Sequence, residues 1–298
     1  MYNSNNEFFM SPKNDYVFKK IFGDENNKDI LSSFLSCVIN EQINDVSILN
    51  NEITKENTAD KKSILDIRAT INDGVQIDIE IQLSRTIYMP ARSLYYWSKI
   101  YMEQLQIGQI YKKLNRTICI NILDFISTES KKYHSVYRLK ETEENFELTN
   151  LMEIHFIEIP KLKGYEKNDV LSQWINFINA DSREELKKMA IVNKNIDKAF
   201  DILNVMSQSK EERAAYLSRE MALHDEVTKL EEALQEGRQE GRQEGRQEGL
   251  DEGRQEGLEE GEKKKALEIA KNLLDILDNE TIAIKTGLTL DEIENLRK

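Results

Sequence analysis

Residues 64–83 read ILDIRATINDGVQIDIEIQL, and the alternation of apolar and polar side chains is the pattern of a two-stranded β-hairpin. In the first strand Leu65, Ile67, Ala69 and Ile71 share one face, which leaves Asp66, Arg68 and Thr70 on the other. In the second, Ile77, Ile79, Ile81 and Leu83 face one way and Gln76, Asp78, Glu80 and Gln82 the opposite way. A two-residue Asp73-Gly74 turn would set Ile71 against Gln76 and mismatch the faces throughout. A three-residue loop, Asn72-Asp73-Gly74 with Gly74 left-handed, pairs Ile71 with Val75 and brings like faces together. That register places Asp66 opposite Glu80, with β carbons about 5 Å apart. Gln82 lies one step further along the same face.

Two carboxylates so close repel unless a positive charge stands between them. A divalent cation that prefers oxygen ligands fits, Mg2+ or Mn2+ first, with Ca2+ a further candidate. Such an ion lowers the pKa of a bound water and stabilises charge on a phosphoryl group. The plainer alternative is a solvated sheet face on which Arg68 neutralises Asp66 or Glu80.

On either side of the hairpin the periodicity changes. Asp15–Ile39 reads as helix with one interruption near Gly23, because Phe18, Ile21, Phe22, Ile30, Leu31, Phe34, Leu35 and Val38 recur at helical spacing. Asp45–Thr54 is a short strand candidate. Pro90 opens a helix predicted to reach about Leu114, and Thr117–Phe125 is an apolar strand suited to the middle of a sheet. Further strands fall near His134–Leu139 and Met152–Ile159. From Asn168 to Leu234 the pattern is helical. The order is that of a mixed α/β domain with helical extensions.

The formal net charge of −13 argues, taken whole, against nucleic acid as a partner. Its distribution reverses that reading. Residues 231–262, EEALQEGRQEGRQEGRQEGLDEGRQEGLEEGE, carry a net −8, whereas residues 85–116 hold six basic residues against one acid, Glu103. Local charge is what a phosphate backbone meets.

Taken together, these residues resemble a known family. Asp66 followed at a distance by Glu80-Ile81-Gln82 is similar to the PD-(D/E)XK nuclease signature. More narrowly, the chain resembles the Rpn group of recombination-promoting nucleases and transposase-related proteins. The matching pieces are Asn14-Asp15-Tyr16-Val17-Phe18-Lys19-Lys20-Ile21-Phe22, Leu65-Asp66-Ile67 and Asp78-Ile79-Glu80-Ile81-Gln82. Arg92, Tyr96, Tyr101, Gly108-Gln109-Ile110-Tyr111, the Glu-Gly repeats and Thr286-Gly287-Leu288 match as well. The resemblance implies a restriction-endonuclease-like core of helix, three strands, helix and strand, with a helical C-terminal extension. It implies a Mg2+-dependent endodeoxyribonuclease whose metal is held by Asp66, Glu80 and the Ile81 carbonyl. Asp66, Glu80 and Gln82 are then the catalytic set, and DNA is the partner. Gln82 takes the place usually held by lysine; it can orient a water but cannot neutralise charge. Asp15 matches an acidic position in the group, with an N-cap of the first helix as its alternative role.

In the helix after the hairpin, Arg92, Tyr96, Lys99 and Glu103 fall on one stripe. Arg92 and Lys99 are candidate phosphate contacts, while the tyrosines have an equally simple role in covering the sheet. The organisation expected is a nuclease-like domain over 1–165, a helical extension over 166–230, the repeat over 231–262 and a helical element over 263–298.

The repeat sets glycine at every fourth residue, at roughly 1 kcal/mol each against helix formation. Alone it should be a flexible acidic linker; a glycine stripe that lets two helices approach would instead make a homodimer. Ala266–Leu277 is amphipathic, and Thr289-Leu290-Asp291-Glu292 is a capping box for a last helix. That ending is either a packing element or half of a DNA-binding helix-turn-helix. His134, His155 and His224 lack the spacing of a zinc site, and Cys119 reads as a buried structural thiol in an apolar strand. Cys37 and Cys119 lack CxxC spacing and fit a reducing compartment, and no apolar stretch is long enough to cross a bilayer. A cytoplasmic location away from membranes is therefore expected.

Overall fold

The computed structural model describes residues 8–50, 65–162 and 169–297. Helix α1, Asp15–Phe22, begins where the Asn14 side chain accepts the Tyr16 N–H, and it buries Val17, Phe18, Ile21 and Phe22. Gly23 ends it, and a short 3-10 turn leads into α2, Lys28–Ile39, so the interruption falls where the sequence indicates. Strand β1, Val46–Leu49, lies inside the expected segment, whose residues 51–54 fall outside the described ones.

The hairpin is built from β2, Ile67–Ile71, and β3, Val75–Gln82, with Ile71 paired to Val75 and Ile67 to Ile79. The loop is the three-residue one. Gly74 is left-handed at φ 92° and Asn72 joins it at φ 42°, where an asparagine is among the few tolerated side chains. Ser63 and Ile64, expected to start the first strand, lie outside the described residues.

Helix α3, Met89–Glu103, stops well before the predicted Leu114. The Gln104 side chain turns away to bond the backbone of Asn115, at 2.8 and 3.2 Å, and the Thr117 hydroxyl at 2.9 Å. Gly108, at φ 84°, turns the chain further, and Ile107 and Ile110 find nothing to bury against. Without an apolar face to bury, further helical turns gain little.

Strands β4, Thr117–Leu123, β5, His134–Tyr137, and β6, Met152–Glu158, complete a six-stranded mixed sheet in the order β1-β2-β3-β4-β6-β5. Strands β3, β4 and β6 run parallel and the outer pairings are antiparallel. One face carries Ile67, Ala69, Ile77, Ile79, Ile118, Ile120 and Ile157 into the main core. Helices α1 and α2 cover it together with α4, Val170–Ile178, α5, Arg183–Ala190, and α6, Lys194–Gln208. The opposite face packs Cys119, Ile154 and Phe156 against Met89, Tyr96, Trp97 and Ile100 of α3. The polar row of β3 therefore lies beneath α3, and the picture of a solvated sheet face does not hold: Asp78 and Glu80 are 1% and 3% exposed.

The chain divides into two compact units, Met1–Asp225 and Glu226–Lys298. Helix α7, Lys210–Leu273, includes the whole glycine repeat, which is helical rather than an extended linker. Side chains along the repeat are exposed, and a β carbon placed on any of its seven glycines would meet nothing within 4 Å. In the second unit Ala270 packs with Ile282 of α8, Asn279–Thr286, and with Ile293 of α9, Leu290–Arg297. The capping box is formed: the Thr289 N–H donates to the Glu292 carboxylate at 3.0 Å, and the Glu292 N–H donates to Thr289 Oγ1 at 3.3 Å. Among the described residues no helix is long and apolar enough to cross a membrane.

Candidate active site

Antiparallel register carried one step past Ile67 brings Asp66 level with Glu80, and the two side chains bond across the strand end. Asp66 Oδ2 accepts the Ile81 N–H at 2.9 Å, and Glu80 Oε1 accepts the Asp66 N–H at 3.1 Å. The remaining oxygen of each carboxylate meets a cation. Lys19 Nζ, reaching from α1, lies 2.8 Å from Asp66 Oδ1. Arg92 Nη2, reaching from α3, lies 3.2 Å from Glu80 Oε2. The expected juxtaposition of Asp66 and Glu80 is present, whereas the alternative in which Arg68 neutralises one of them is not. In the fold Arg68 bonds Glu103 of α3 at 2.8 Å instead.

Arg92 also donates to Gln82 Oε1 at 3.0 Å and lies 5.2 Å from the centre of the Tyr96 ring. Gln82 in turn donates to the Ser84 carbonyl at 3.3 Å, so its amide is oriented at both ends. Lys99 stands over the Tyr95 ring at 4.9 Å. The aromatic side chains of α3 divide: Trp97 donates to the Thr117 carbonyl and stacks on Tyr101, while Tyr95 is exposed. Asp15 is not brought to the pair. It occupies the first turn of α1 beside its cap, Asn14, and is bound by Arg219 at 2.7 Å.

Burial pushes the Glu80 carboxyl well above its usual range, and the nearby charges of Asp78 and Asp66 push the same way against Arg92. Asp78, invisible to sequence reasoning as more than one of a polar row, is pushed up to about 7, again chiefly by burial. One of its oxygens has no hydrogen-bond partner. Burial also pushes the thiol of Cys119 well up, as expected of an inert thiol beside Asp78. Lys19 was missed as well: its partner lies far away along the chain, and no local spacing signals it.

Two carboxylates and the Ile81 carbonyl are oxygen donors, a set that suits a hard cation keeping several waters, such as Mg2+. Among the described residues no cluster of three or more histidines, cysteines or acids is arranged to hold a metal. The donor chemistry fits; the two oxygens now facing Lys19 and Arg92 are the ones a cation would need.

A mixed sheet with three central parallel strands, a helix crossing between β3 and β4, and an acidic pair at the strand end define a PD-(D/E)XK-like fold. The family model described as PD-(D/E)XK nuclease family transposase matches residues 12–233, and the chain belongs to that family. The resemblance to the Rpn group is thereby borne out. Nucleases of this superfamily generally use divalent metals. No curated protein and no solved structure matches the chain.

Proposed function

We propose that this protein is a metal-dependent DNA endonuclease that hydrolyses phosphodiester bonds, of the recombination-promoting, transposase-associated kind. The observation that carries the reading is the Asp66–Glu80 pair at the end of the hairpin, Glu80 buried and Asp66 partly exposed, with Gln82 oriented beside it. A divalent cation held by Asp66, Glu80 and the Ile81 carbonyl, Mg2+ in the first instance, would lower the pKa of a bound water and stabilise charge on the scissile phosphate. The backbone N–H groups of Asp66 and Ile81 fix the two carboxylates. Gln82 orients the attacking water, and Arg92 binds a phosphate oxygen from the edge of the site. DNA as the partner is supported by Arg85, Lys112 and Lys113, exposed on the segment that contains α3, and by Lys99 over the Tyr95 ring of that helix. The test is nicking of supercoiled plasmid in Mg2+. Glu80→Ala should abolish it, and a fully active, nuclease-free preparation of that variant would overturn the reading.

A second reading has its own support. Gln82 cannot supply the charge a lysine would, and all four carboxylate oxygens already have partners. On this reading the protein binds DNA without cutting it, on a nuclease-like scaffold. It would shift DNA yet leave plasmid intact in Mg2+, Mn2+ and Ca2+. Under either reading the long C-terminal helix is a surface for pairing two copies, with Leu230, Leu234, Leu250 and Leu258 exposed along it.

A further inference from the structure

Building on the metal-site reading above, we propose that Lys19 is an exchangeable internal counterion that occupies Asp66 when no divalent cation is bound and must leave for one to enter. The four carboxylate oxygens divide into two classes. Asp66 Oδ2 and Glu80 Oε1 are held by backbone N–H groups, which cannot move without breaking the hairpin. Among the described residues, Asp66 Oδ1 and Glu80 Oε2 are held by side-chain cations from two different helices. An ammonium 2.8 Å from an oxygen opposes a dication on that same oxygen, because the two positive charges repel at close range.

The two cations differ in freedom. Arg92 is anchored three ways, by Glu80, by Gln82 and by the Tyr96 ring, so on losing Glu80 it keeps the other two contacts. Lys19 holds Asp66 through a single ammonium on a flexible stem, and its side chain is one-third exposed. Lys19 and Asp66 also line the same open cleft of about 250 Å3, together with Gly23, Ile48 and Arg68, which gives the ammonium room to withdraw. Lys19 is therefore the group that exchanges. Once displaced, it remains beside the site as a mobile positive charge of the kind that Gln82 cannot provide.

The consequence is a sign that a merely structural lysine would not produce. Removing the charge at position 19 should tighten cation binding. The experiment is calorimetric titration of the full-length protein with Mn2+, without DNA, for wild type, Lys19→Gln, Lys19→Arg and Asp66→Asn. Lys19→Gln should bind Mn2+ about two- to fivefold more tightly, the competition expected from a partly exposed ion pair. Lys19→Arg should bind like wild type. Unchanged or weaker binding by Lys19→Gln, while wild type binds and Asp66→Asn does not, overturns the exchange alone. Wild type and Asp66→Asn binding alike would overturn the metal-site reading beneath it as well.

A second measurement needs no variant at position 19. Acetylation of wild type by a water-soluble ester, read by mass spectrometry, should modify Lys19 faster when Mn2+ is present, and Asp66→Asn should show the fast rate with or without it. A Lys19 rate that Mn2+ leaves unchanged in a cation-binding wild type overturns the proposal.

Discussion

Asp66 and Glu80 are tied to the hairpin reciprocally: Glu80 accepts the Asp66 N–H at 3.1 Å, and Asp66 accepts the N–H of Ile81, next to Glu80, at 2.9 Å. Each carboxylate thus closes a backbone group that the end of the β-ladder leaves open. The acids are structural clamps as well as ligand candidates, and the two roles separate on substitution. Glu80→Gln keeps an oxygen for the Asp66 N–H while removing a buried charge crowded by Asp78 and Asp66. Its thermal midpoint should equal or exceed that of wild type, whereas plasmid nicking in Mg2+ should be lost. Asp66→Ala removes the acceptor of the Ile81 N–H and should destabilise the fold by about 1–3 kcal/mol in urea unfolding.

The turn that sets this register has its own test. Gly74 adopts φ 92°, and a β carbon there would lie 2.8 Å from the Asn115 amide nitrogen. Gly74→Ala should therefore destabilise the fold by roughly 1–2 kcal/mol in urea unfolding. Gly108 also has a positive φ, 84°, but is open to solvent, so its alanine variant meets only the backbone penalty.

A second buried polar group lies at the far edge of the sheet. His134 Nε2 is 2.8 Å from His155 Nδ1, and His155 Nε2 is 2.6 Å from Glu153. Burial, together with His155, holds the His134 imidazole down to about 4. The unfolded chain takes up that proton near 6.5, so stability should fall as pH drops from 6.5 to 4. Burial alone would raise Glu153, but hydrogen bonds from His155 and Arg138 and the charge of Arg116 outweigh it and hold the carboxyl down to about 2. Its contribution is present above 4.5 and should be lost as pH falls from there to 2. Unfolding free energies across this range should show both losses in wild type. His134→Asn should flatten the upper one and Glu153→Gln the lower.

How far the sequence led depends on the range of the interaction. The hairpin register and loop were legible because faces must match in one register only, and residues 64–83 carry that whole pattern. The helix interruption at Gly23 and the capping box at Thr289 were legible for the same reason, being settled within a few residues. Lys19 meets Asp66, and Arg92 meets Glu80, only after α1 and α3 dock on opposite faces of the sheet, so no local spacing announces either pair. His134 and His155 look scattered along the chain because antiparallel pairing of β5 with β6 is what brings them together. The early end of α3 was missed because apolar residues continue past it, at Ile107 and Ile110, after burial has ceased.

The glycine repeat gives the last prediction. Seven glycines within α7 should each weaken the helix by about 1 kcal/mol relative to alanine, and none is in contact with anything that would repay it. Changing all seven to alanine should raise helicity and thermal stability measured by circular dichroism. If glycine is there to let a second copy of the helix approach closely, the same change should also lower the mass found by light scattering, since added methyl groups hold the two backbones apart. Deleting residues 231–262 should lower that mass too. A mass unchanged by both alterations rejects self-association through the repeat, and a gain in helicity without a loss of mass leaves the glycines with no role in pairing.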